Sequence, residues 1–215
     1  MTRLFVFDLD GTLVDSLRDL ADSANELLVS CGGAALDSNA IARMVGEGAA
    51  TLVSRAFAAA EVGQPADALL RFLAIYDTKL LNHTRPYEGM AETLKALSAR
   101  AALAVLTNKP LAATWRILEG LQLSSFFEVE AVIGGDGPHA RKPEPAGLHR
   151  LCERAGVAPS DAMLVGDSLV DWQTARNAGA AICLARYGFG FQQFPQETLN
   201  GHERLIDRPT DLLQM

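Results

Sequence analysis

Short, unbroken runs of apolar residues recur along the chain, and glycine or polar side chains follow most of them. Such runs are typical of strands that are buried on both faces of a parallel sheet. The pattern predicts strands at 4–7, 102–106, 162–165 and 180–184, with a further candidate at 129–133. Ligands of parallel sheets bind beyond the carboxyl ends of the strands, so the polar residues there are candidates for a functional site.

Helical periodicity, in which apolar residues recur every three or four positions, fills most of the intervals between these strands. It predicts helices at 89–100, 111–121, 143–155 and 168–178. Strands that alternate with helices of this length indicate an α/β fold with a Rossmann-like, doubly wound parallel sheet.

One long interval breaks the alternation. Between Ser16 and His83 the pattern predicts no strand, and it predicts alanine- and leucine-rich helices at 17–31, 38–44, 48–60 and 65–81. We therefore expect a Rossmann-like catalytic core made of residues 1–15 and 84–215. An all-helical cap domain, residues 16–83, would be inserted into it, with hinges near 15–16 and 84–86.

Composition narrows the classes of function. With 215 residues, 49% of them hydrophobic, the chain can form one full core and a small accessory domain. A net charge of −7 argues against nucleic acid as a partner, because duplex binding depends on clustered lysine and arginine. The first apolar run is too short to span a membrane and no cleavage site follows it, so we expect a cytoplasmic protein without a membrane partner.

Two carboxylates, Asp8 and Asp10, lie at the end of the first predicted strand, directly before Gly11. Neighbouring carboxylates repel each other unless a cation lies between them or one of them holds a proton. The pair suits Asp8 as nucleophile and metal ligand, with Asp10 beside it as acid and base. A turn capped by aspartate is the alternative, and the DxDG motif alone does not decide between the two.

A second pair of carboxylates, Asp167 and Asp171, follows the strand predicted at 162–165. At a spacing of four residues they share one face of a helix start. Carboxylate oxygens suit Mg²⁺, whereas the alternative is that both residues only cap the helix.

Three further polar residues are candidates for holding a phosphate group. Thr107 and Asn108 follow the strand at 102–106 and can donate hydrogen bonds without adding negative charge. Lys142 enters a predicted helix, where its charge would add to that of the helix N-terminus. The alternative for Lys142 is an ordinary surface lysine.

The order of these motifs carries more information than any one of them. DLDGTLVDS, LTN, RKPEP and GDSLVD follow one another, each at a predicted strand end or helix start. In this the chain resembles the haloacid dehalogenase superfamily over nearly its whole length. The resemblance implies a Rossmann-like core with a mobile cap, Mg²⁺ as cofactor, and a small-molecule phosphate ester as substrate.

The resemblance also implies a role for each residue. Asp8 would attack phosphorus to form an aspartyl-phosphate, and Asp10 would protonate the leaving oxygen and later activate water. Thr107 and Lys142 would hold the phosphoryl oxygens. The metal site would consist of Asp8, Asp10 through its carbonyl, Asp167 and, in support, Asp171.

Three further stretches resemble the phosphoglycolate phosphatase group: VGEGAATLVSRA at 45–56, TNKP at 107–110 and YGFG at 187–190. The turn that contains Glu47 and Gly48 can present backbone amides to a substrate, and we count both residues with Gly11 as candidate substrate contacts. The phosphatase of N-acetylmuramic acid 6-phosphate is similar in these stretches, so the substrate stays open.

Several alternatives also stay open. Lys109 is either a substrate contact or a surface residue, and Arg43, Arg55 and Arg85 are candidates for contacting the substrate beyond its phosphate. The chain would be a phosphatase, with a phosphomutase of the same branch or a non-catalytic domain that binds phosphate compounds as alternatives.

Overall fold

The computed structural model describes residues 2–215 of the chain. In chain order its strands are β1 (Leu4–Phe7), β2 (Val14–Asp15), β3 (Arg85–Pro86), β4 (Ala102–Leu106), β5 (Val132–Ile133), β6 (Ala162–Gly166), β7 (Ala181–Ala185) and β8 (Arg204–Ile206). Its α-helices are α1 (Leu17–Ser30), α2 (Ser38–Ala42), α3 (Ala49–Ala59), α4 (Ala68–Lys79), α5 (Met90–Ser98), α6 (Leu111–Gly120), α7 (Ala146–Ala155) and α8 (Leu169–Ala178).

Six of the strands form one parallel sheet in the order β5-β4-β1-β6-β7-β8. The chain builds outwards from β1 to β4 and β5 on one side, and then crosses to β6 on the other side. The strand order therefore reverses at β1, and its carboxyl end is the switch point at which doubly wound sheets bind ligands. The predicted fold class is confirmed.

Both faces of the sheet are covered, which explains the unbroken apolar runs. Phe5 and Phe7 of β1 point to one hydrophobic cluster, and Leu4 and Val6 point to the other. All four side chains are at most 1% exposed. Strands that are buried on both faces need no polar alternation.

The prediction was wrong at two edges of the sheet. Residues 129–131 form a 3-10 turn, and only Val132–Ile133 pairs with β4, because Val129 is 68% exposed and offers no buried face. The edge strand β8 was missed because Ile206 is its one buried residue, so it contains no apolar run.

The boundaries of several other predicted elements shift by one to three residues, as one strand and one helix illustrate. The strand predicted at 180–184 lies one residue later in the structure, as β7. The helix predicted from residue 143 begins at Ala146, since Pro145 occupies its N-cap position.

Residues 16–83, here called the helical insert, contain α1 to α4 and lie between β2 and β3. Helix α1 packs against the other three, and the apolar side chains of the insert belong to the same cluster as Phe5 and Phe7. None of the helices within residues 2–215 combines the length and the apolar character that crossing a bilayer requires. The division into core and cap domains at the stated boundaries stays a prediction.

The two segments that connect the sheet to the insert pair with each other. β2 and β3 form a two-stranded antiparallel ribbon. Beside it, the carboxylate of Asp19, only 1% exposed, accepts hydrogen bonds from the backbone of His83 and from the backbone and hydroxyl of Thr84, at 2.8 to 3.0 Å. The ribbon was not predicted because two-residue strands leave no periodic pattern.

Replacing Asp19 with Ala is expected to lower the free energy of unfolding by about 2–4 kcal/mol, because three donors lose their acceptor in a largely buried place. Urea denaturation followed by circular dichroism measures the loss. Asp22→Ala on the same helix is the matched control, since its exposed contact with Arg18 at 3.8 Å should contribute less than about 1 kcal/mol. Equal losses in both variants would contradict the proposed contribution of the Asp19 hydrogen bonds to stability.

Candidate active site

The polar residues predicted at three strand ends lie at one edge of the sheet. Asp8 follows β1, and its backbone N–H donates to the Val165 carbonyl at 2.9 Å. Thr107 follows β4 in the same manner, donating from its backbone to Ile133 at 3.0 Å, and Asp167 follows β6. The ladder hydrogen bonds thus continue one residue past the strands and orient the first polar side chains.

Lys142 is buried, so the alternative of a surface lysine is wrong. Its ammonium lies 2.8 Å from Asp8 Oδ1 and 2.6 Å from Asp171 Oδ1, and its side chain is 2% exposed. The prediction placed Lys142 at the N-terminus of a helix. In the structure it lies in the segment before α7 and reaches the site from there. The amide of Asn108 holds that segment by donating to the Lys142 carbonyl at 3.0 Å.

Burial and the attraction between opposite charges shift the pKa values of Lys142 and Asp8 in opposite directions. Burial alone would lower the pKa of Lys142, but the attraction of Asp171 and Asp8 leaves that pKa above its usual value. Burial raises the pKa of Asp8 to about 6, with Lys142 opposing the rise and Asp171 adding to it. The carboxylate of Asp8 is therefore poorly solvated and short of positive charge in the protein alone.

Asp171 caps a helix, which was one of the two alternatives that the sequence left open, and it also contacts Lys142. Its Oδ2 accepts from the backbone and hydroxyl of Ser168 at 3.1 and 2.6 Å, which forms a capping box at the start of α8. Its Oδ1 accepts from Lys142. Because protein donors engage both oxygens, Asp171 is suited to holding Lys142 in place.

Asp167 has fewer partners. Its Oδ2 accepts from the Gly190 backbone at 2.8 Å, and burial, with Asp171 and Asp8 nearby, raises its pKa well above the usual value. Two glycines, Gly11 and Gly188, allow the backbone to pass close to the Asp167 side chain. A Cβ at Gly11 would lie 2.0 Å from Asp167 Oδ2, and one at Gly188 would lie 2.2 Å from the Gly11 carbonyl. Close packing accounts for Gly11, which does not line the cavity described below.

Asp8, Asp167 and Asp171 form a compact acidic cluster, with one ligand atom from each residue within 4.8 Å of the others. One lysine, Lys142, contacts two of these three carboxylates, those of Asp8 and Asp171. The excess of negative charge, together with the raised pKa of Asp167, fits a divalent cation with oxygen ligands. The side chain of Asp10 is not part of this cluster.

The carboxylate of Asp10 points to different partners. The Ser16 hydroxyl donates to it at 2.5 Å, and the Lys109 ammonium lies 2.9 and 3.1 Å from its two oxygens. Lys109 is 7% exposed, so its interpretation as a surface residue is wrong. Asp10 lies in the turn after β1, where the contacts with Ser16 and Lys109 hold its side chain.

A cavity of about 400 Å³ separates the edge of the sheet from the helical insert. The core contributes polar residues to it: Asp8, Asp10, Thr107, Asn108 and Lys109. The insert contributes mainly apolar residues: Leu20, Val45, Leu52, Phe72, Leu73 and Tyr76. Asp8 and Asp10 thus open onto a space that can hold a small molecule.

The turn at residues 46–48 lies against the core. The side-chain amide of Asn108 donates to the Gly46 carbonyl at 2.9 Å, and Gly46 and Gly48 line the cavity. Glu47 does not line it, because its carboxylate is paired with Arg55 at 2.5 Å and is about half exposed. We therefore do not retain the Glu47 side chain as a substrate contact, and a contact through its backbone amide stays a prediction.

The other arginine candidates are also outside the cavity. Arg43 is exposed, and Arg85 donates to carbonyls of its own linker, among them that of Thr84 at 2.6 Å. Arg55 is engaged by Glu47. Ser16 and Tyr76, which do reach the site, were not singled out from the sequence, since one serine at a helix N-cap and one tyrosine on an apolar helix face are ordinary.

Comparison with known proteins agrees with the motif order. The family model for haloacid dehalogenase-like hydrolases matches residues 5–185. The phosphoglycolate phosphatase of Rhodospirillum rubrum is 43% identical over 198 residues, which cover 88% of this chain and 81% of that protein. The phosphoglycolate phosphatase of Nitrosospira multiformis is 39% identical over 193 residues, which cover 87% and 84%.

A solved structure shares the whole fold. It is described as a predicted phosphoglycolate phosphatase from Haemophilus somnus and superimposes with a TM-score of 0.90 at 32% sequence identity. The match covers 99% of this chain and 97% of that chain, so it includes the helical insert as well as the sheet.

Proposed function

The chain belongs to the haloacid dehalogenase-like hydrolases and is a phosphoric monoester hydrolase, and we propose that it is a Mg²⁺-dependent phosphatase that uses Asp8 as its nucleophile. One observation carries the proposal. Asp8 lies at the switch point of the sheet, contacts Lys142, belongs to the acidic cluster and opens onto the cavity.

In the proposed reaction an Asp8 carboxylate oxygen attacks phosphorus, and the bond from phosphorus to the alcohol oxygen breaks. Asp10, held by Ser16 and Lys109, gives its proton to the leaving alcohol. Water then attacks the aspartyl-phosphate, with Asp10 accepting its proton, and inorganic phosphate leaves while Asp8 is restored. Thr107 and Lys142 would hold the phosphoryl oxygens in both steps.

Asp8 and Asp167 would hold Mg²⁺ together with the Asp10 carbonyl. Asp171 would support the site by positioning Lys142. When bound, the metal would supply positive charge to the phosphoryl oxygens, which phosphoryl transfer needs more than covalent chemistry.

We propose phosphoglycolate, or a phosphate ester of similar size, as the substrate. The names of the relatives support this choice, and a cavity of about 400 Å³ has room for a small ester. We also propose a cytoplasmic location, in keeping with three unpaired cysteines. Hydrolase membership removes the non-catalytic alternative, and no observation favours a mutase.

The purified chain is expected to release phosphate from phosphoglycolate and from p-nitrophenyl phosphate with Mg²⁺, and to stop when EDTA is in excess. In Asp167→Asn, the Mg²⁺ concentration that gives half-maximal activity should rise by about tenfold or more, because a ligand has lost its charge. Asp207→Asn, an exposed carboxylate paired with Arg186, is the matched control. Equal Mg²⁺ dependence in both variants would remove Asp167 from the proposed metal site.

A further inference from the structure

Tyr76 has an unusual environment within the cavity. It lies on α4 of the helical insert and is 4% exposed, yet its hydroxyl has no hydrogen-bond acceptor among the described residues, since its neighbour Lys109 can only donate. Leaving a buried hydroxyl without a partner costs about 1–3 kcal/mol, so a ligand or a water that accepts its hydrogen bond would be stabilised there. Burial raises the pKa of Tyr76 to about 12, and the hydroxyl is therefore a neutral donor at physiological pH.

Lys109 provides a charge at the same place. Its ammonium lies 4.6 Å from the centre of the Tyr76 ring, at the meeting point of core and insert. Among the described residues that line the cavity, Lys109 is the one cation. The Lys109 ammonium already pairs with Asp10. It has three N–H donors, however, and can donate to a second acceptor as well.

The apolar side chains in the remainder of the cavity wall limit where a charged group of a ligand can bind. Apart from Asp77, the helical insert lines the cavity with apolar side chains, glycine and Tyr76. The apolar side chains there would desolvate an anionic group on the alcohol side of a substrate without compensating its charge, whereas Tyr76 and Lys109 carry side-chain donors. A charge-assisted hydrogen bond from each would provide that compensation.

We propose that Tyr76 and Lys109 form a subsite that recognises a carboxylate on the leaving alcohol of the phosphate ester. The inference rests on the proposed function, since it assumes that the phosphoryl group lies at Asp8. It makes both side chains specificity-determining residues, one from each side of the boundary between core and insert. A carboxylated substrate would thus link the insert to the core.

A neutral substrate is the competing possibility. The Asn108 Oδ1 atom is also buried without a donor, and a hydroxyl on the leaving alcohol could donate to it. The first possibility requires a carboxylate on the leaving alcohol, and the second requires a neutral hydroxyl. Phosphoglycolate and 2-hydroxyethyl phosphate have chains of the same length and differ in carrying a carboxylate or a hydroxyl, so they form the appropriate pair of probes.

The experiment compares kcat/KM for these two esters, with Mg²⁺, in the full chain. The unsubstituted chain should prefer phosphoglycolate by about tenfold or more, as expected for a hydrogen-bonded charge. Tyr76→Phe should reduce this preference by about fivefold or more, mainly through KM for phosphoglycolate. Lys109→Met should reduce the preference as well, and it should also lower kcat for both esters, because Asp10 loses the ammonium that holds it. Lys95→Met, an exposed lysine on α5, should leave the preference as it is.

The outcomes separate the inference from the function on which it rests. Equal use of both esters by the unsubstituted chain, or an unchanged preference in Tyr76→Phe, would overturn the subsite while Mg²⁺-dependent phosphate release still supports the phosphatase. If neither these esters nor p-nitrophenyl phosphate released phosphate, the proposed function would fail together with the inference. Tyr76→Phe keeps the ring in place, so the test does not depend on whether Lys109→Met folds.

Discussion

Replacing Asp8 with Asn is expected to reduce phosphate release by about 10⁴-fold or more, because an uncharged amide cannot attack phosphorus. The change preserves the size of the side chain. It also removes one of the carboxylates that crowd the acidic cluster, where burial already raises the pKa of Asp8 to about 6. We therefore expect the variant to fold and to remain at least close to its original stability.

Two measurements test this prediction. Released phosphate is followed with p-nitrophenyl phosphate and phosphoglycolate, and intact-protein mass spectrometry after rapid acid quenching detects a phosphorylated chain. The unsubstituted protein should show the phosphorylated species, and Asp8→Asn should not. Phosphate release at an undiminished rate from a folded Asp8→Asn variant would exclude Asp8 as the nucleophile.

The central part of the fold was predictable because its physical causes are local. β1 and β6 are buried on both faces, and such strands must be apolar throughout. The polar residues that follow them, Asp8 and Asp167, consequently mark the sheet edge in the sequence itself. At the edges of the sheet this reasoning failed, since β8 has a single buried residue and needs no apolar run.

The partners within the site were less accessible to sequence analysis. Lys109 meets Asp10 across 99 positions of the chain, and Ser16 reaches the same carboxylate through the turn before α1. Tyr76 approaches Lys109 only because α4 packs beside the core. Which lysines are buried and which carboxylates they face follows from tertiary packing, and no spacing rule within one element contains that information.

Lys142 connects the contacts of Asp8 with those of Asp171, so a change at Lys142 affects both carboxylates. It is the cation that faces both Asp8 and Asp171, and Asp171 in turn caps α8 through Ser168. Removing one partner of a buried ion pair is far more damaging than replacing the whole pair, because an uncompensated charge stays behind. The substitution Lys142→Met leaves two such charges beside a third carboxylate, that of Asp167.

We expect Lys142→Met to lower kcat/KM by about 10³-fold, since the variant loses a charge that the transition state needs. Without Mg²⁺ at pH 7, its free energy of unfolding should fall by about 3–5 kcal/mol. Urea denaturation in EDTA measures this loss. Lys95→Met, which removes an exposed lysine, should change it by less than about 0.5 kcal/mol.

The loss of stability should depend on pH in a defined direction. In the folded protein the pKa of Asp8 already lies above its usual value of 3.8, and without Lys142 it loses the attraction that opposes the rise. A carboxyl whose pKa is higher folded than unfolded binds more protons in the folded state, so stability falls as pH rises. Because Asp8 is protonated in both folded proteins below about pH 6, the difference between Lys142→Met and the unsubstituted chain should be small at about pH 5 and grow as the pH rises from about 6 to 8. A difference that stays constant over this range would mean that Lys142 stabilises the site by packing and not by its charge.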